Sequence, residues 1–301
     1  MHFLVDMIKG IFVGVANVIP GVSGGTMAVS FGIYDRLLSS ISDLFKDIKK
    51  SIKTLLPIGI GMALGIAGFT FILGWLLENH PFVTSMSFTG LILGGLPIII
   101  SELKTGWQRD TKKSIAVNVV LFLLFAAFAL CLLFANGSSD SGLLLAVSPA
   151  MLFKVFFMGV IASATMIIPG VSGSLVLMIL GYYFGIIQSI KDFISALRHM
   201  DMAVLIDRTL ILAPFALGCI AGIFLLSKLI KWLFENFASA TYSAILALVV
   251  TSPVSIFVKV NEEYALKGTG ITDIILGVIL LLGCMCITIF MSRLETAPAE
   301  E

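Results

Sequence analysis

The stretch "IPGVSGG" at 19–25 returns almost unchanged as "IPGVSGS" at 168–174. Proline removes a backbone donor and glycine frees the backbone, so each copy is expected to interrupt a helix. Yet both copies sit inside long apolar stretches. The first is uncharged over 10–34 and the second over 155–190. As one helix the second would reach about 54 Å, at 1.5 Å per residue. The hydrocarbon layer is only about 30 Å thick, and two full spans with a turn need about 40 residues. A re-entrant hairpin, which enters the bilayer, turns at Pro-Gly and leaves on the same side, fits these lengths. Such backbone is tolerated in a membrane only where protein or a water-filled cavity surrounds it.

Composition places this reading in a membrane protein. Hydrophobic residues make up 58% of the chain and charged residues 12%, against about 25% charged in a soluble domain. The mean hydropathy of +1.09 agrees. No basic stretch tracks phosphates, so nucleic acid is not an expected partner. The four cysteines, Cys131, Cys219, Cys284 and Cys286, lie in apolar segments and read as small hydrophobes. The N-terminus lacks the cationic region of a cleavable signal, so the first apolar stretch is expected in the mature protein. Six further stretches, 55–77, 82–101, 115–135, 209–233, 238–258 and 270–291, are long enough to span.

The repeat extends beyond the motif. A gapless alignment of 10–43 with 159–192 matches 12 of 34 positions, including Gly32 with Gly181, Tyr34 with Tyr183 and Asp43 with Asp192. Further on, "GWLLEN" at 74–79 matches "KWLFEN" at 231–236, and Pro57, Gly61 and Gly65 match Pro214, Gly218 and Gly222. The expected fold is an all-α polytopic membrane protein with one membrane domain of two repeats. Repeat 1 is 1–140, with a hairpin at about 7–38; repeat 2 is 150–293, with a hairpin at about 155–190. Each holds a hairpin and three spans. Three crossings are odd, so the second repeat enters from the opposite face, an inverted topology found in transporters. A single broken span per motif would instead make the repeats parallel.

Loop 35–53 holds Arg36, Lys46, Lys49, Lys50 and Lys53, and loop 102–113 holds Lys104, Arg109, Lys112 and Lys113. Loop 136–149 has neither Lys nor Arg. The excess of positive charge places the first two loops, and the N-terminus, in the cytoplasm. Lys191, Arg198 and Arg208 then face outside, with Asp192, Asp201 and Asp207 beside them; a parallel arrangement would place those charges more comfortably.

In the motif, Pro20 suits a helix start. Gly21, Gly24 and Gly25 let the backbone turn and a ligand approach. Ser23 and Thr26 add hydroxyls, and helix-start amides favour anions. The second copy repeats the device with Pro169, Gly170, Ser172, Gly173 and Ser174. Two such tips meeting would offer amides and hydroxyls to a phosphate or carboxylate without net charge. The alternative is that Gly and Ser only allow close helix packing; recurrence at matching places favours the site. Asn17 near the first break is a candidate ligand contact or a cap for freed backbone groups. Thr165 and Ser163 read first as local backbone partners. Arg36 at the hairpin mouth, aligned with Gly185, and Lys154 are anion attractors or interfacial anchors. Glu102 reads as a solvated cap, and Glu78 and Glu235 as belt residues beside tryptophans. The histidines His2, His80 and His199 lie at span edges or in loops, and no acid–base pair falls within a span, so catalysis is not indicated.

The paired "IPGVSGGT" and "IPGVSGS", followed by "GIYDRLL" and "GYYFGII", resemble a bacterial membrane family known as domain of unknown function 368, of PopT-type polyprenyl-phosphate transporters. The resemblance runs through nearly the whole chain. It implies recycling of undecaprenyl phosphate from the outer to the cytoplasmic leaflet of the bacterial inner membrane. It carries headgroup contact onto Pro20, Gly21, Ser23, Gly24, Gly25 and Thr26, and onto Pro169, Gly170, Ser172, Gly173 and Ser174. The second copy departs where Ser174 and Leu175 replace Gly25 and Thr26. No cofactor is expected, and coupling to protons or sodium stays open. The other readings are transport of a small soluble anion or solute and, more remotely, an enzyme acting on lipid phosphate.

Overall fold

A computed structural model describes residues 2–17, 23–109, 115–134, 147–171, 173–264, 266 and 270–296. Among them are twelve α-helices and no strand. The first motif divides α1 (His2–Ala16) from α2 (Gly24–Ser30), and the second divides α7 (Pro149–Ile167) from α8 (Gly173–Ile179). Each short helix then stops at a left-handed glycine, Gly32 at φ 73° and Gly181 at φ 78°. The closing bonds match. Gly32 donates to Val29 and Ile33 to Ala28; Gly181 donates to Met178 and Tyr182 to Leu177. This paired capping satisfies the last carbonyls of a helix and needs a residue that tolerates positive φ.

Beyond these glycines the sequence reading runs the hairpin arms to about 38 and 190 and then expects loops; the structure has helices there, α3 (Tyr34–Ser42) and α9 (Tyr183–His199). Six long helices complete the chain. They are α4 (Ile48–Asn79), α5 (Pro81–Arg109), α6 (Ile115–Phe134), α10 (Met202–Asn236), α11 (Ala238–Tyr264) and α12 (Ile271–Thr296). These six, with α7, make seven helices long and apolar enough to cross a membrane. The seventh corrects the expectation of a short arm starting at 155. Ser148 accepts the Met151 amide at 3.2 Å and Pro149 opens the helix, so α7 starts earlier. Its 19 residues reach about 28 Å.

The chain divides into two compact units that do not follow the sequence repeats. The first holds 1–130, 168–171 and 228–301. Within it α1 lies on α4, and α5 packs against α11 and α12. The α1–α4 contact is set by glycine: a Cβ on Gly10 or Gly14 would strike the carbonyls of Ile58 or Met62, and one on Gly61 or Gly65 those of Met7 or Ile11. The second unit holds 131–167 and 172–227. There Gly159, Gly218 and Gly222 meet α10 and α7 backbone in the same way. Its core is Val155, Ala162, Leu177, Ile186 and Ile211.

The WLLEN and WLFEN segments are helix stops. Asn79 donates to the Trp75 carbonyl at 2.8 Å, and Asn236 to Trp232 at 2.8 Å. Trp75 packs edge-on against His80 and Trp232 against Phe237. Glu78 and Glu235 are exposed.

Candidate functional site

Ser23 precedes α2 in extended backbone, φ −100° and ψ 132°, where a serine side chain ordinarily caps the helix. Here it makes no cap bond. Its hydroxyl is buried, with no hydrogen-bond partner among the described residues. Two more hydroxyls in the same unit share that state, Ser30 on α2 and Thr89 on α5. Ser30 lies against Gly95, whose hydrogen leaves the room that the serine occupies. A buried hydroxyl without a partner costs about 1–3 kcal/mol.

Thr26 is fully buried and holds the second break. Its Oγ1 accepts the Gly170 amide at 2.6 Å and lies 3.4 Å from Ser252 Oγ. Ser252 donates its one proton to the Leu248 carbonyl at 2.9 Å, so Thr26 is the donor to Ser252. The amide-to-carbonyl chain therefore runs Gly170, Thr26, Ser252, Leu248. Gly170 needs glycine twice: its φ is +76°, and a Cβ would lie 2.7 Å from the Leu248 carbonyl. The two breaks thus touch within the first unit, Thr26 from one and Gly170 from the other. In this conformation the Gly170 amide is occupied, and the Ser23 hydroxyl has no partner among the described residues.

The remaining expected residues divide. Asn17 donates to the Val13 carbonyl at 3.0 Å and caps α1; its side chain also fills the space where a Gly24 Cβ would sit. Gly173 meets Met166 in the corresponding way. Gly25 is half-buried in α2, and Pro169 is buried in the second turn. Thr165 bonds the Ile161 and Ala162 carbonyls at 3.0 and 2.9 Å, and Ser163 bonds Val160 at 3.1 Å. Both act locally, as the sequence suggests. Pro20, Gly21 and Ser172 lie outside the described residues, as does the side chain of Ser174. Arg36 is not at the tip: it forms an ion pair with Asp6, in the N-terminal part of α1. Lys154 is exposed on α7.

The structure also pairs charges that the motif does not reveal. Lys9 is fully buried and Asp6 nearly so. Asp35 accepts a hydrogen bond from the Tyr242 hydroxyl. Asp35 keeps an exposed edge, yet crowding of its carboxylate pushes its pKa up to about 6; the Tyr242 bond opposes the rise and Glu102 adds to it. Asp43 pairs with Lys231, which holds its carboxyl below the usual range. In the second unit Arg208 pairs with Asp192 at 3.3 Å and Asp207 at 3.6 Å. The signal for Asp6 and Lys9 was their i, i+3 spacing just before the uncharged stretch.

The family model described as undecaprenyl phosphate translocase-like matches residues 13–272. A polyprenyl-phosphate transporter of Staphylococcus aureus is 29% identical over 281 residues, covering 92% of this chain and 94% of its own. One of Vibrio cholerae serotype O1 is 30% identical over 268 residues, covering 83% and 76%. No solved structure matches the chain.

Proposed function

The chain belongs to the undecaprenyl phosphate translocase-like family, and from that premise we propose that it carries undecaprenyl phosphate from the outer to the cytoplasmic leaflet of the bacterial inner membrane. The returned lipid re-enters cell-envelope synthesis. The observation that carries the site is the contact of the two breaks, with a buried Ser23 hydroxyl nearby in the chain that has no hydrogen-bond partner among the described residues.

The physics of the step is desolvation. A phosphate stripped of water in hydrocarbon faces a very large free-energy barrier. Hydroxyl and amide donors fixed in protein replace that water without adding charge. Ser23 supplies such a donor directly. The Gly170 amide becomes a second one when the headgroup displaces Thr26 from it. Binding would therefore loosen the contact between the breaks, which couples headgroup occupancy to movement of α2. The prenyl tail has no polar group to hide and stays in lipid. No bond is made or broken, so this role asks for no acid–base pair.

The test uses cells lacking the protein, with surface undecaprenyl phosphate measured by an impermeant phosphate-lipid probe. The lipid is expected to accumulate outside. Wild-type protein should reverse this, and the Ser23→Ala, Ser172→Ala double variant, present at equal level, should not. Surface lipid unchanged by loss of the protein would overturn the reading and favour a soluble anion as cargo.

A further inference from the structure

Within the first unit the arm formed by α2 and α3 is tied to the α10–α11 region at both of its ends. At the inner end Thr26 of α2 donates to Ser252 of α11. At the outer end α3 docks on the corner where α10 passes into α11. The Tyr242 hydroxyl of α11 donates to Asp35. The Tyr34 ring stands edge-on to Phe234 of α10, with centroids 6.4 Å apart, and Phe234 lies 4.8 Å from the Tyr242 ring. Just past α3, Asp43 accepts from Lys231 of α10. Tyr242 and Ser252 lie about 15 Å apart along α11. Only Phe31, Gly32 and Ile33 join α2 to α3, and Phe31 and Ile33 are fully buried. A shift of α2 therefore acts on the contacts of α3.

The outer ties differ in kind from the contacts of the scaffold. α1 meets α4 at glycines, where backbones approach closely. α3 is held on α10 and α11 by polar side chains at the rim. Asp43 and Lys231 each keep 29% of their side chains exposed, and Asp35 keeps an exposed edge. Ion pairs this exposed add little to stability, and moving segments are drawn from the weakly held parts of a fold. The repeated architecture does not require these ties either. Asp35 aligns with Phe184, Phe234 with Leu77 and Lys231 with Gly74. Asp192, the counterpart of Asp43, pairs instead with Arg208 of the helix that follows it.

We propose that α3 is a latch on the α10–α11 corner: the Asp43–Lys231 and Asp35–Tyr242 contacts hold the α2–α3 arm against α11, and they release for the headgroup to pass. The latch rests on the translocation reading above and names the part that moves. A headgroup that takes the Gly170 amide from Thr26 disturbs the inner tie. The short, buried connection passes that shift to α3, where the outer ties hold the arm back. Once the headgroup has left, Lys231 and Tyr242 recapture the two carboxylates and the arm is held again.

The experiment joins the two partners covalently. Asp43→Cys with Lys231→Cys is made in the full chain with Cys131, Cys219, Cys284 and Cys286 replaced by serine, reconstituted in proteoliposomes and oxidised. Translocation of a fluorescent short-chain polyprenyl phosphate should fall about tenfold on oxidation and return on reduction. Oxidised protein that carries the lipid at the reduced rate, with the disulfide confirmed by mass, would overturn the latch. Ser42, buried on α3, supplies a reporter that needs no disulfide. In the same cysteine-free chain, Ser42→Cys should react with a water-soluble maleimide severalfold faster when polyprenyl phosphate is added. Adding Asp43→Asn should raise the labelling rate without lipid, and Asp43→Lys with Lys231→Asp should label more slowly than Asp43→Lys alone. A fixed scaffold predicts labelling that neither lipid nor Asp43→Asn changes, and that result would also overturn the latch. A natural chain that moves no polyprenyl phosphate in the same vesicles removes the translocation reading; labelling of Ser42→Cys with Asp43→Asn then decides the latch alone.

Discussion

Ser23 and Asp35 each hold a polar group in an environment that does not suit it, and both make predictions. Ser23 stands at a helix start without capping it. Removing a buried hydroxyl that bonds nothing is neutral or stabilising. Ser23→Ala is therefore expected to leave the melting temperature of the purified protein unchanged or slightly raised, measured by differential scanning fluorimetry. For Asp35 the carboxyl pKa is raised from 3.8 to about 6 by burial. Folding then favours the protonated form, so its contribution to stability is full below about pH 4, declines as pH rises towards 6 and is level above. Asp35→Asn lacks this loss. The variant should gain melting temperature relative to wild type between pH 4 and 6, with a constant difference at higher pH; a difference independent of pH would contradict the assignment. Neither effect could be read from sequence. "GIYDR" shows an acid beside a base, but the Tyr242 hydroxyl that meets Asp35 lies 207 positions away.

The Pro-Gly breaks and the paired positions around them were the legible part of the fold, because they are encoded locally. Pro-Gly breaks, the left-handed Gly32 and Gly181, and the Trp-to-Asn stops all act within five residues, and each repeats in matching form in the two halves. Amphipathic α3 and α9 were missed because their charged faces resemble loops. The early start of α7 was missed because Ser148 and Pro149 border an uncharacteristic polar stretch. Helix contacts are less local, yet glycine betrays them. A Cβ on Gly61 would strike the Met7 carbonyl, whereas one on Gly68 in the same helix meets nothing within 4 Å. Overpacking a tight contact costs about 1–3 kcal/mol. Gly61→Ala is therefore expected to destabilise the protein by about 2 kcal/mol and Gly68→Ala to be neutral or slightly stabilising, by unfolding in mixed detergent. Equal effects would remove the contact as an explanation.

Across the molecule, Gly170 of the second break donates a hydrogen bond to Thr26, 144 positions away beside the first. The sequence offered the two motifs but not their meeting, which depends on α11 presenting Leu248 and Ser252 to the second turn. The two halves also differ in charge. Asp6, Lys9 and Arg36 carry charge around the first motif, while the aligned positions of the second half, Val155, Met158 and Gly185, do not. The most direct measurement is translocation of a fluorescent short-chain polyprenyl phosphate in proteoliposomes, comparing wild type, Ser23→Ala and Thr26→Val at equal reconstitution. The account predicts a rate about tenfold lower for Ser23→Ala, and a changed rate for Thr26→Val through release of the Gly170 amide. Wild-type rates in both variants would contradict it.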